Sequence, residues 1–216
     1  MTAAPHDARG GAAGPEPPRA RYVMPSFVER TSWGTKEMTP YNKLFEDRIV
    51  FLGTQVDDTA ANDVTAQLLA LEGMDPDRPV SLYINSPGGS LTAMLAIHDT
   101  TRYIKPEIET TCIGQAASAA AILLAGGTRG RRAALVHSRI LLHEPAVEGA
   151  IRGQSSDMEI AAREILRLRE QMALILAEAT GRDPADIRRD LDRERYFTAE
   201  EAKEYGLIDE VLTKRG

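Results

Sequence analysis

One cysteine, Cys112, in 216 residues leaves no internal disulfide possible. It lies in an apolar run and reads as a small buried hydrophobe of a cytoplasmic protein. Nor is there an excess of positive charge. A formal net charge of -6 offers no basic field for gripping nucleic acid. The uncharged run Thr110 to Thr128 covers 19 residues, but Gly, Gln, Ser and Thr dilute it, so a membrane-crossing helix is rejected. Residues 1–20, MTAAPHDARGGAAGPEPPRA, lack the apolar core of a secretory signal and read as a disordered leader or removable propeptide. Residues 21–216 then form one domain, and no internal repeat is found.

Several catalytic signatures are absent as well. There is no G-x-x-x-x-G-K-[ST], so ATP hydrolysis is not expected. His143-Glu144 begins like a zinc-binding H-E-x-x-H, but Val147 stands where the second histidine belongs, and no metal or other cofactor is expected. A nucleophile elbow G-x-S-x-G around Ser118 would need glycines at 116 and 120, and both are alanine.

What is present is alternation. RIVFLGTQV (48–56), VSLYINS (80–86) and IETTCIG (108–114) read as strands, with NDVTAQLLALE (62–72) and LTAMLAIHDTTRYI (91–104) as helices between them. Strand-helix repetition predicts an α/β fold. The segment SSDMEIAAREILRLREQMALILAEATG opens with a capping box of Ser156 and Glu159, closes at Gly181, and reads as one long helix. Along it Ala161, Ile165, Leu168, Met172, Ile175 and Ala179 form a narrow seam, suited either to core packing or to meeting another helix. TAEEAKEYG is a second boxed helix, Thr198 with Glu201, and LIDEVL a final strand.

Ser118 sits just after a strand, at the start of a short helix that Gly126-Gly127 closes. Unpaired N–H groups at a helix start favour an oxyanion beside it, whereas a packing serine gains little from them. A serine nucleophile needs a base, and the histidines are His6 in the leader, His98 in a helix, and His137 and His143 at the two ends of one strand. His143, at a strand mouth before Glu144-Pro145, is the candidate. Asn85 to Ser90, NSPGGS, is either a tight turn or a place where backbone N–H approaches a ligand.

The motifs INSPGG (84–89), GQAAS (114–118), ILLHEP (140–145) and TAEEAKEYGLID (198–209) together resemble the ClpP serine peptidase family. YNKLFEDRIVFLG and GQSSDMEIAAREIL extend the similarity from about Tyr22 to Leu212. The resemblance implies a crotonase-like superhelix of β-β-α units with a protruding handle helix. It further implies Ser118 as nucleophile, His143 as general base, and the N–H groups of Gly89 and Ala119 as the oxyanion hole. Where the family carries the triad acid in a D-R-D segment, this chain reads Asp192-Arg193-Glu194. Glu194 holds the acid register and Asp192 is its rival; in an extended segment both would face the same side. His143-Glu144-Pro145 stands where the family reads H-Q-P, which sets a second carboxylate beside the base.

The same resemblance implies two stacked rings of seven subunits, of this chain or with a paralogue. An AAA+ unfoldase of the ClpX, ClpA or ClpC type would feed them unfolded polypeptide. The alternative is a weakly active structural paralogue in a mixed complex. An acyl-CoA enzyme of the crotonase type would not account for Ser118, His143 and a late acid together.

Overall fold

The computed structural model describes residues 25–31, 34–144 and 154–214. The leader expected over residues 1–20 lies outside them. The chain divides into two units, Met1–Pro40 and Tyr41–Gly216. The described part of the first is an antiparallel pair, β1 (Phe27–Thr31) and β2 (Gly34–Met38), with Phe27 opposite Met38.

The second unit carries α1 (Pro40–Glu46) from its second residue on, then β3 (Ile49–Leu52), α2 (Asp58–Met74), β4 (Val80–Ser86), α3 (Leu91–Tyr103) and β5 (Ile108–Ala117). There follow α4 (Ala119–Ala125), β6 (Arg132–Leu135), β7 (Arg139–Leu142), α5 (Ser155–Thr180), α6 (Pro184–Leu191), β8 (Arg195–Thr198), α7 (Ala199–Tyr205) and β9 (Glu210–Leu212). The α/β expectation holds. In β4, Val80, Leu82 and Ile84 are fully buried while Ser81 and Tyr83 between them are only partly so, the period of two that marked it as a strand. No helix among the described residues is long and apolar enough to cross a membrane, because the uncharged run is divided between β5 and α4.

The sheet runs β3-β4-β5 in parallel and then forks. Residues 110–112 of β5 pair with β6, and residues 115–117 pair with β7. β6 continues in parallel to β9, while β7 pairs antiparallel with β8. The fork brings the ends of β4, β5 and β7 together, and each is followed by one of the motif segments.

Beneath them α4 is buried along its whole length. Four of its seven residues are Ala, so its backbone lies close to the sheet. Gly126 caps it, as expected, but with φ -74°, in the right-handed region. The glycine pair is required by space: a Cβ on Gly127 would stand 2.5 Å from Thr110 Oγ1, which donates to the Leu124 carbonyl at 2.7 Å.

The long helix α5 closes at Gly181 in the left-handed conformation, φ 73°. Its start departs from expectation. Gln154 is the N-cap, and Asp157, not Glu159, returns its carboxylate to the cap N–H at 3.3 Å. Met172, Ala173, Leu176 and Ala177 bury the C-terminal half, whereas Met158, Ile160 and Leu166 stay exposed, giving the protruding handle. The seam divides accordingly: Met172 is core, Ile175 and Ala179 pack against it, and Ile165 and Leu168 form a cleft wall. α7 has the predicted capping box, Thr198 with Glu201, and ends at left-handed Gly206.

Arg132, only 4 % exposed, anchors the β6 arm of the fork. Its Nε and Nη2 donate to Asp209 Oδ2 and Oδ1 at 2.9 and 2.7 Å, and Nη1 donates to the Ala125 and Ala179 carbonyls. Burial pushes the Asp209 carboxyl up, but its hydrogen bonds with Arg132 and Gly130 outweigh that and hold it below the ordinary value. A depressed carboxyl stabilises the fold above its unfolded pKa, about 3.9, and loses that contribution as pH falls through the lower folded value. Asp209→Asn strands a buried guanidinium and is expected to cost about 3 to 5 kcal/mol in denaturant unfolding at neutral pH. The gap to wild type should narrow below about pH 4; a cost under about 1 kcal/mol at neutral pH would contradict this account.

Candidate active site

Ser118 takes up the position between β5 and α4. Its backbone has φ 54° and ψ -121°, a conformation that residues with a Cβ rarely adopt. Such a residue is strained by about 1 to 3 kcal/mol and persists only where its surroundings enforce it. Here they do: the Ser118 N–H donates to the Leu141 carbonyl of β7 at 2.8 Å, and its own carbonyl accepts from Ala121 at 2.9 Å. The turn therefore has the strand-to-helix form of a nucleophile elbow, without the glycines that the sequence pattern requires. Ala116 and Ala120, both fully buried, take their places.

The turn after β4 crosses directly over Ser118. Gly88 and Gly89 have φ of 88° and 153°. A Cβ on Gly88 would lie 2.4 Å from the Ala117 carbonyl oxygen and 2.9 Å from Ser118 Cβ, so only glycine fits. Val56 clamps this turn, donating to the Gly88 carbonyl at 2.9 Å and accepting from Ser90 N–H at 2.7 Å. Those bonds leave the Gly89 N–H between them without a partner among the described residues, and the Ala119 N–H at the start of α4 likewise.

His143 follows β7 and lines the same cleft as Ser118 and Gly89, a space of about 690 Å³ walled by Leu91, Ile165 and Leu168. His143 Nδ1 lies 2.6 Å from the Glu144 carbonyl oxygen. A carbonyl only accepts, so the neutral tautomer that fits this contact carries its proton on Nδ1 and leaves Nε2 bare. That is the tautomer able to receive a proton from a hydroxyl. His137 lies in the turn before β7, at the other end, and His98 is on α3.

The acidic candidates are arranged differently. Glu194 makes no hydrogen bond to His143 among the described residues; its carboxylate accepts from Tyr196 OH at 2.9 Å. The segment before it is not extended, because α6 runs to Leu191 and Asp192 caps it with helical φ -60° and ψ -26°. Asp192 and Glu194 thus do not share the face expected of an extended strand. Asp192 instead pairs with Arg193 at 3.6 Å and lies 3.9 Å from Arg169, whose other arm is 3.3 Å from the Glu144 carboxylate. Cys112 is fully buried, and burial raises its thiol to about 11 against a weaker opposing hydrogen bond with Ser138, so it remains a neutral packing group.

The Clp protease family model matches residues 32–215. The chain is similar to ATP-dependent Clp protease proteolytic subunit 1 of Thermobifida fusca, with 58% identity over 98% of this chain and 95% of that protein. It is also similar to proteolytic subunit 3 of Nocardia farcinica, 57% identical over 97% and 96%, and to proteolytic subunit 1 of Corynebacterium glutamicum, 60% identical over 92% and 95%. A match across the elbow, both glycines, the β7 histidine and the handle helix leaves one conclusion: the chain belongs to the Clp protease family of serine peptidases.

Proposed function

We propose that the chain is a serine endopeptidase subunit in which Ser118 is the nucleophile and His143 the general base. The observation that carries this reading is the strained Ser118 elbow opening into one cleft with His143 and the unpaired Gly89 N–H. His143 Nε2 takes the proton as Ser118 Oγ attacks a peptide carbonyl, and the N–H groups of Gly89 and Ala119 receive the oxyanion. The protonated imidazole then gives its proton to the leaving amine, and water releases the acyl-enzyme by the same route.

Glu194 is the orienting acid in this reading. The Glu144 carbonyl already selects the Nδ1 tautomer, but a neutral carbonyl stabilises the imidazolium less than a carboxylate does. Glu194 therefore exchanges Tyr196 OH for His143 Nδ1 in the working state. Assembly supplies the ordering: the exposed Met158, Ile160 and Leu166 of the handle are apolar surface for contact between two rings of seven subunits, of this chain or with a paralogue. The chamber so formed lies in the cytoplasm and takes unfolded chains from an AAA+ unfoldase.

The test is hydrolysis of a fluorogenic peptide by the assembled protein, alone and mixed with a paralogous subunit, comparing Glu194→Gln with Asp192→Asn. Glu194→Gln is expected to lower kcat by about 10- to 100-fold, less than the 10⁴ lost with the acid of a fixed triad, because the Glu144 carbonyl still holds the tautomer. Asp192→Asn should fall within about threefold of wild type. The reverse order would transfer the role to Asp192, and no Ser118-dependent hydrolysis in either assembly would overturn the peptidase reading.

A further inference from the structure

Arg169 stands on α5, one residue past Leu168 of the cleft wall, and reaches two segments at once. One arm, Nη1, lies 3.3 Å from Glu144 Oε2, directly after the candidate base. The other, Nη2, lies 3.9 Å from Asp192 Oδ1, two residues before the candidate acid. The same two segments are joined through the backbone by the β7–β8 ladder, which ends with Leu142 opposite Arg195, and beyond its end by Glu144 N–H, which donates to the Leu191 carbonyl at 2.8 Å. Past the end of the ladder, the guanidinium adds a side-chain tie to that one backbone bond. The arrangement also occupies the Glu144 carboxylate. That pairing ties the carboxylate next to the candidate base to α5.

We propose that Arg169 is a positioning residue of the peptidase site, a two-armed tie that holds the His143 segment against the α6–β8 turn through Glu144 and Asp192, beyond the end of the β7–β8 ladder. This inference rests on the reading of Ser118 and His143 as nucleophile and base. Arg169 is 32% exposed and its carboxylate partners 40% and 57%, so each arm is individually weak, and the effect is one of geometry on the reacting pair. A planar fork can span two carboxylates where an ammonium holds one, so lysine is not an equal substitute.

The experiment follows the rate of Ser118 modification by a fluorophosphonate, together with peptide kcat and KM, on assembled protein of verified mass. Arg169→Gln is expected to slow labelling and lower kcat about fivefold with KM little changed. Arg169→Lys should fall between Arg169→Gln and wild type. Adding Glu144→Gln to Arg169→Gln should cost no more than Arg169→Gln alone, because both changes cut the same tie. Wild-type rates in Arg169→Gln, or in Arg169→Lys should the glutamine variant fail to assemble, would overturn the proposal. So would multiplicative losses in the double variant. Absence of labelling at Ser118 in the wild-type assembly would instead remove the peptidase reading itself, and with it this inference.

Discussion

Ser118→Ala is expected to lower peptide hydrolysis by about 10⁴-fold or more while the protein still assembles and peptides still bind. The size follows from what the hydroxyl does. It is the only group at the elbow able to form the acyl-enzyme, and the strained backbone that aims it has no packing purpose, since alanine neighbours already fill α4. The contrast between activity and assembly is the informative part. Removing one Oγ from a half-buried side chain opens no cavity of consequence, so thermal stability should hold or rise slightly as the polar group leaves. His143→Ala should produce a loss of similar order, and the double variant should be no worse than either, because nucleophile and base act as a unit. A Ser118→Ala protein that retained more than a few per cent of wild-type turnover would mean that another group attacks.

Gly88→Ala is the second large effect. A Cβ at φ 88° is strained by about 1 to 3 kcal/mol wherever it occurs. Here it would also stand 2.4 Å from the Ala117 carbonyl oxygen and 2.9 Å from Ser118 Cβ, so either the turn or the elbow has to move. A displacement near 1 Å at reacting atoms is worth about 100-fold in rate, and the Gly89 N–H shifts with the turn. The expected result is a fall in kcat of at least about 100-fold with a clear drop in melting temperature. Gly130→Ala is the control: its φ is 82°, but no atom lies within 4 Å of the added Cβ. That variant should lose stability from strain alone and keep its peptidase activity. Equal activity losses in the two variants would mean that the turn over Ser118 has no special role.

The strands and helices were legible because their patterns are local. Alternation in Val80 to Ile84, the Thr198–Glu201 box and the glycines at 181 and 206 each act within a few residues of themselves. Ser118 was legible as a candidate nucleophile from its place between a strand and a helix, and the structure puts it at that junction. Its left-handed φ was not, since the glycines that advertise an elbow are alanines here and the strain is enforced by Leu141, distant in the chain. Gly126 and Gly127 were read as closing the short helix, and Gly126 does cap it, but the space requirement behind them, from His98 and Thr110, was not legible. The Ser156–Glu159 box was displaced by Gln154 and Asp157 because both pairs satisfy the same spacing, and the pattern does not say where the helix begins. The shape of the acid segment was not legible for a related reason. Asp192-Arg193-Glu194 carries no period of its own, so the run of α6 to Leu191 decided its shape. The Glu144–Arg169 contact joins a loop to a helix and leaves no trace in either segment alone.

The most direct measurement is intact-mass and peptide-level detection of a fluorophosphonate adduct on the assembled protein, alone and with a paralogous subunit, beside Ser118→Ala. The account predicts one adduct per chain, located on Ser118, in at least one assembly, and none in the variant. An assembled protein that takes no adduct in either state, or one whose adduct persists in Ser118→Ala, would contradict it.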